Sequence, residues 1–222
     1  MKQLNHSIFI YLILLFLPGI SSAQETDLIM MVLSNKSNLT ISGTSNISKF
    51  DCKLEQNFEQ DTLIILTKYS ESNLLCENAV TTFLVNKFNC GHEAINRDFR
   101  NALREKEFPE ISLNVKNIYQ TNNNGFNNLS REINAEVSLM LAGTKKEYKI
   151  DFVEKTAESK QLFFTGQKTV KMSDFNIDPP KALMGLIKTN DDLSIQFDLR
   201  LILLNKVNIP INNSQVKKIE TN

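Results

Sequence analysis

An antiparallel all-β fold is what this sequence predicts, and three observations carry the expectation. Leu193, Ile195, Phe197, Leu199, Leu201 and Leu203 alternate with Ser194, Gln196, Asp198 and Arg200, the period-two pattern of a strand with one buried and one wet face. The same alternation recurs along the chain between turn residues, giving roughly eight to ten short strands. Only residues 93–104 carry clear helical spacing: Ile95, Phe99, Ala102 and Leu103 fall on one face at steps of three and four.

The amino terminus reads as a leader. Lys2 precedes an apolar run over residues 8–17, then Pro18-Gly19 and Ser21-Ser22-Ala23. That is a secretory signal peptide cut after Ala23, and the run is too short to span a bilayer well. A retained anchor is the alternative. The reading assigns residues 1–23 to the signal peptide, 24–205 to one β domain and 206–222 to a polar tail containing Pro210. Export would take the protein to the periplasm or outside the cell. No second apolar run of spanning length follows, so stable membrane insertion is not expected.

The full chain carries 25 basic and 25 acidic residues. Removal of Lys2 leaves one acid in excess, a balance that gives no long-range attraction for nucleic acid. A single domain of about 200 residues is long enough to bury a real core.

Taken in order, residues 28–33 and 39–43 read as strands around a turn at 35–38. Gly43 marks either a close approach beside a ligand or simple sheet curvature. Residues 51–58 continue the ribbon, 63–66 return, and 80–88 follow with Phe83 inward. The helix at 93–104 is placed across a barrel mouth, with Phe99 and Leu103 either touching a ligand or plugging the core. Residues 111–116, 133–141, 148–152 and 162–172 alternate as strands, with a polar loop at 122–128 and a turn at 143–145. Pro179-Pro180 forbids a helix interior but permits a short helix just after it. Ala182, Leu183, Leu186 and Ile187 would form its apolar face.

Export permits a disulfide among Cys52, Cys76 and Cys90, with one thiol left over. The matched contexts Phe50-Asp51-Cys52 and Phe88-Asn89-Cys90 favour the Cys52–Cys90 pairing. The wide cysteine spacing lacks the close pairs of a structural zinc site. After leader removal His92 is the only histidine, which excludes a histidine metal triad. It stands just before a helix, where a turn or capping role fits better than catalysis. No G-x-S-x-G elbow and no glycine-rich phosphate loop is present. The chain therefore reads as a binding protein without a cofactor, not an enzyme.

Four blocks in order carry a family resemblance. They are Ile41-Ser42-Gly43-Thr44-Ser45-Asn46 with Phe50; Asn96-Arg97-Asp98-Phe99 with Ala102-Leu103 and Phe108-Pro109-Glu110-Ile111; Leu141-Ala142-Gly143-Thr144-Lys145-Lys146; and the stretch from Val170 to Leu199. Together they resemble the YceI-like, polyisoprenoid-binding domain. The resemblance implies a lipocalin-like antiparallel barrel of about eight strands with one or two short helices at its mouth. It also implies an apolar lipid partner, an isoprenoid or a quinone-like molecule. The chain departs from better-known relatives in carrying cysteines, which points to a tighter and narrower barrel.

Joined to the alternation, the resemblance implies a lining of Phe83, Phe99, Leu103, Ile150, Phe152, Phe175, Leu183, Leu186, Ile195, Phe197 and Leu199. Lys171 and Lys188 would stand near a headgroup, or serve only to solvate the surface. A second copy of the chain is the one protein partner left open. A structural or stress-related barrel with a solid core, or an interaction module working through its outer surface, is the rival reading.

Overall fold

Strand follows strand in the computed structural model, which describes residues 26–58, 62–69, 73–120, 130–157, 160–182, 184 and 186–209. The strands are β1 (Thr26–Leu33), β2 (Asn38–Ser45), β3 (Lys49–Leu54), β4 (Thr62–Tyr69), β5 (Asn73–Glu77), β6 (Val80–Leu84), β7 (Phe88–Asn89), β8 (Glu110–Gln120), β9 (Ser130–Leu141), β10 (Thr144–Ala157), β11 (Gln161–Lys171), β12 (Lys181–Ala182) and β13 (Ile187–Ile209). One helix, α1 (Glu93–Ala102), stands between β7 and β8.

The pairing order β1-β4-β5-β8-β9-β10-β11-β13 returns to β1, a ring of 8 antiparallel strands. β13 holds the ring together. One of its edges pairs with β11 from Asp192 to Ile202. Its other edge pairs with β2 from Leu193 to Asp198 and then with β1 from Leu201 to Ile209. β1 and β2 therefore act as one strand broken at residues 34–37. Side chains cover the break: Ser37 Oγ accepts from Arg200 N at 2.9 Å, and Ser34 N donates to Arg200 O at 2.8 Å. The backbone of β13 thus stays satisfied where its partner is interrupted. β6 and β5 share one edge of β8 in the same way.

The alternation in β13 is realised. Leu193, Ile195 and Phe197 are buried, while Gln196 and Arg200 are exposed. Two glycines allow aromatic rings to lie over the sheet. Phe50 is the cross-strand partner of Gly43, and Phe152 that of Gly166. A Cβ at Gly166 would meet Phe152 Cδ1 at 2.6 Å, and one at Gly43 would run into the Phe50 ring. Gly43 is thus needed because a ring occupies the space a side chain would fill.

Four expectations are corrected. The helix ends at Ala102, not 104; Arg104 has φ of 51°, which an α-helix does not accommodate. The stretch after Pro179-Pro180 is a hairpin, in which Lys181 faces Lys188 and Ala182 faces Ile187. Ala182 and Ile187, two of the apolar residues that suggested a short helix, are thus paired strand residues, and Met184 between them adopts φ of 56°. Residues 73–77 form a strand that the alternation did not reveal, because Asn73-Leu74-Leu75-Cys76-Glu77 shows no period of two. The last strand runs through Ile209, beyond the expected boundary at 205, because β1 pairs with it as far as Thr26. Residues 1–25, which include the expected leader, and the residues after Ile209 lie outside the described residues.

Candidate functional site

Among the described residues two apolar cavities stand out, one on each side of a packed layer. The larger, about 240 Å³, sits between α1, the β2–β3 turn, residues 172–180 and β13. Its walls include Phe50, Ile95, Phe99, Leu103, Ile177 and Leu193, with Ser45, Ser48, Asp98 and Thr189 as the polar members. The smaller, about 120 Å³, is lined from the ring interior by Met31, Leu33, Leu113, Phe152, Leu199 and Leu201, among others. Between them stand Leu39, Phe83, Val137, Ile150, Ile195 and Phe197, each at most 2 % exposed. β13 passes all three levels: Leu193 at the large cavity, Ile195 and Phe197 in the layer, Leu199 and Leu201 at the small cavity.

Local chemistry explains how α1 reaches the larger cavity. His92 caps it, Nδ1 accepting from Ala94 N at 3.2 Å, which satisfies one of the amides left open at a helix start. Cys90, just upstream, is joined to Cys52 of β3 by a disulfide, so the start of α1 is tied to the sheet. Phe99 packs on Phe88 with ring centroids 5.4 Å apart, and Arg104 donates to the backbone carbonyl of Ala142. None of the residues of α1 is fully buried. Its apolar face is spread over a void as much as packed against side chains.

The opposite wall is also fixed. Ser173 Oγ donates to Asp191 Oδ2 at 2.6 Å and Ser173 N to Oδ1 at 2.8 Å. These bonds, the hydroxyl first, hold the Asp191 carboxyl below its usual range, and they anchor residues 172–180 to β13.

The expected lining residues separate into groups. Phe99 and Leu103 meet at the larger cavity, and Phe152 and Leu199 at the smaller. Phe83, Ile150, Ile195 and Phe197 fill the layer instead. Phe175 is fully buried against Tyr148, ring centroids 6.2 Å apart, and lines neither cavity. Leu186 is 75 % exposed, because it follows the hairpin turn and its side chain leaves the core. Leu183 lies outside the described residues. Lys171 is exposed, with Nζ 3.9 Å from Asp192 Oδ1. Lys188 is exposed between Ile187 and Thr189, which line the larger cavity while Lys188 does not. Sequence reasoning missed Ile47, Ile177 and Pro180, whose loop positions give no periodic signal.

Cys76 carries the free thiol, at the wall of the smaller cavity. Burial pushes its pKa up to about 11, so little thiolate exists near neutral pH. Alkylation by iodoacetamide at pH 8 should run about 100-fold slower than for an exposed cysteine, and should accelerate as the pH rises toward 11. A rate equal to that of the urea-unfolded chain would show the thiol to be open to solvent.

Among the described residues no group of three or more His, Cys, Asp or Glu could hold a metal ion, and no helix is long and apolar enough to cross a membrane. The profile of the YceI-like domain matches residues 66–201, more than half of the chain. No protein of curated function matches. A solved polyisoprenoid binding domain from Saccharophagus degradans, implicated in plant cell wall breakdown, is similar in fold, with a TM-score of 0.54 at 10% identity, covering 78% of this chain and 98% of that one. BcnA of Burkholderia cenocepacia gives a TM-score of 0.47 at 13% identity over 78% of this chain and 95% of its own. A YCEI protein of Campylobacter jejuni gives 0.45 at 15% identity over 65% and 80%.

Proposed function

The chain belongs to the YceI-like domain family, and from that premise we propose that it is an exported barrel that binds an apolar, polyisoprenoid-type lipid without covalent chemistry. YceI-like proteins are binding modules, not enzymes. The observation that carries the proposal is the 240 Å³ cavity under α1, walled almost wholly by apolar side chains. An apolar cavity of about 150 Å³ already accepts benzene, so this one has room for the end of a prenyl chain. Burying such a chain removes apolar surface from water, at about 25 cal/mol per Å². Ser45, Ser48, Asp98 and Thr189 then stand where a polar head would meet solvent. The leader of residues 1–23 and the disulfide both fit an oxidising compartment.

The packed layer around Phe197 favours a second reading, a structural barrel with a solid centre. Native mass spectrometry of protein purified from its own host, followed by organic extraction, separates the two. The first reading expects a bound apolar molecule that Ala94→Trp, filling the larger cavity, displaces and Leu199→Trp leaves in place. A protein that arrives empty, or a bound mass that survives Ala94→Trp, overturns it.

A further inference from the structure

The rim of the larger cavity carries features that neither the fold nor the cavity requires. Ile47 is 67% exposed, Leu186 75% and Met184 108%. Single exposed apolar residues are ordinary, but these three belong to two segments bound to each other. Asn46 Nδ2 donates to Leu186 O at 2.9 Å, Asn46 Oδ1 accepts from Lys188 N at 2.9 Å, and Asn46 N donates to Lys188 O at 3.1 Å. The β2–β3 turn and the 181–188 hairpin thus form one lip. Ile47 and Ile187 also line the cavity, so the exposed apolar surface continues inward.

Charge on the lip has one sign. Lys49, Lys181 and Lys188 are exposed, and neither residues 45–49 nor 181–188 contain a carboxylate. The nearest acids in sequence are Asp51, which accepts from Ser42 Oγ at 2.6 Å, the exposed Asp178, and Asp191, whose carboxylate accepts from Ser173 N and Oγ; Asp98 faces the cavity from α1. Lys181 and Lys188 are direct cross-strand partners. Like charges placed opposite each other destabilise a strand pair, and an anionic surface relieves that repulsion. We propose that this lip docks on an anionic lipid bilayer, with Ile47, Met184 and Leu186 entering the interface and the three lysines meeting headgroups. Apolar tips flanked by lysines suit that boundary. The inference deepens the lipid-binding reading, since docking would open an apolar path from bilayer to cavity.

The test is flotation of the purified chain with phosphatidylglycerol–phosphatidylcholine vesicles and with pure phosphatidylcholine vesicles, at low and high salt. The chain should float with the anionic vesicles only, and high salt should release it. Combined Ile47→Asn, Met184→Ser and Leu186→Ser should lower the bound fraction at least ~10-fold, as should Lys49→Glu with Lys181→Glu and Lys188→Glu. All these side chains are exposed, and an unchanged urea midpoint certifies the fold. Absence of flotation, or a triple apolar variant that floats like the parent, overturns the proposal. So does a dimer in sedimentation that the apolar variant dissolves without any vesicle binding, which would assign the lip to a second copy. Flotation by a protein that carries no extractable lipid would sustain docking while the cargo reading fails; bound lipid without flotation would do the reverse.

Discussion

Phe197→Ala is expected to destabilise the protein by about 3–5 kcal/mol, the range for truncating a fully buried aromatic side chain. The ring is 1% exposed. It faces Leu39 of β2 on one side and Gly166 of β11 on the other, with the Phe152 ring 5.9 Å away between centroids. Rigid strands surround it, so the space it leaves cannot collapse fully. The void would lie between the 240 Å³ and 120 Å³ cavities, and the variant should take up small apolar molecules that the parent excludes. Urea denaturation measures the first effect, and a rise in melting temperature with added benzene the second. A cost below about 1 kcal/mol would mean that the layer is not close-packed, and the solid-centre reading would lose its support.

Removing the disulfide should have an effect of similar size. Cys52 and Cys90 are separated by 38 residues, and closing a loop of that length restricts the unfolded chain by about 4 kcal/mol in the chain-entropy estimate, within the usual 2–5 kcal/mol for native bridges. Cys52→Ala with Cys90→Ala should therefore lower the urea midpoint strongly. The loss should also be local. β3 and β7 share only two paired positions, Lys53 with Asn89 and Leu54 with Phe88, so the bridge is the main tie holding the start of α1 to the sheet. Amide exchange in residues 93–102 should rise more than in β9 and β10, whose twelve paired positions do not depend on it. A midpoint equal to that of the oxidised parent, or uniform exchange along the chain, would contradict this account.

Much of this was legible in the residues. The alternation at 193–203 marked the strand around which the ring closes. The paired Phe-x-Cys contexts marked Cys52 and Cys90 as partners, and they are bridged, although Cys52 lies within β3 and Cys90 just past β7 rather than at matching strand ends. The spacing of Ile95, Phe99, Ala102 and Leu103 gave a helix with one apolar face, and that face overlies the larger cavity. Local chemistry suffices for each of these, because strand and helix periods are properties of neighbouring residues.

The broken strands were not legible. Asn35, whose side chain accepts from Phe58 N at 2.5 Å, reads in the sequence only as part of a turn. Its role in bracing an interrupted strand depends on a residue 23 positions away.

The sequence by itself thus determined which side chains point inward; the tertiary structure alone decided which of them fill space and which border it. Phe197 and Leu199 stand two residues apart on one face of one strand, yet the first is packed solid and the second lines a cavity. Periodicity is the same for both. What differs is what surrounds each: Phe197 lies between Leu39 and Gly166 with the Phe152 ring 5.9 Å away, whereas Leu199 shares the smaller cavity with Leu33 and Ala135. Those encounters are fixed by register between strands far apart in sequence. Leu186 and Ile187 make the same point at the rim, where one turn sends the first to solvent and leaves the second at the cavity wall. Inward direction is set by a period of two, but the volume left between inward side chains is set by where distant strands meet.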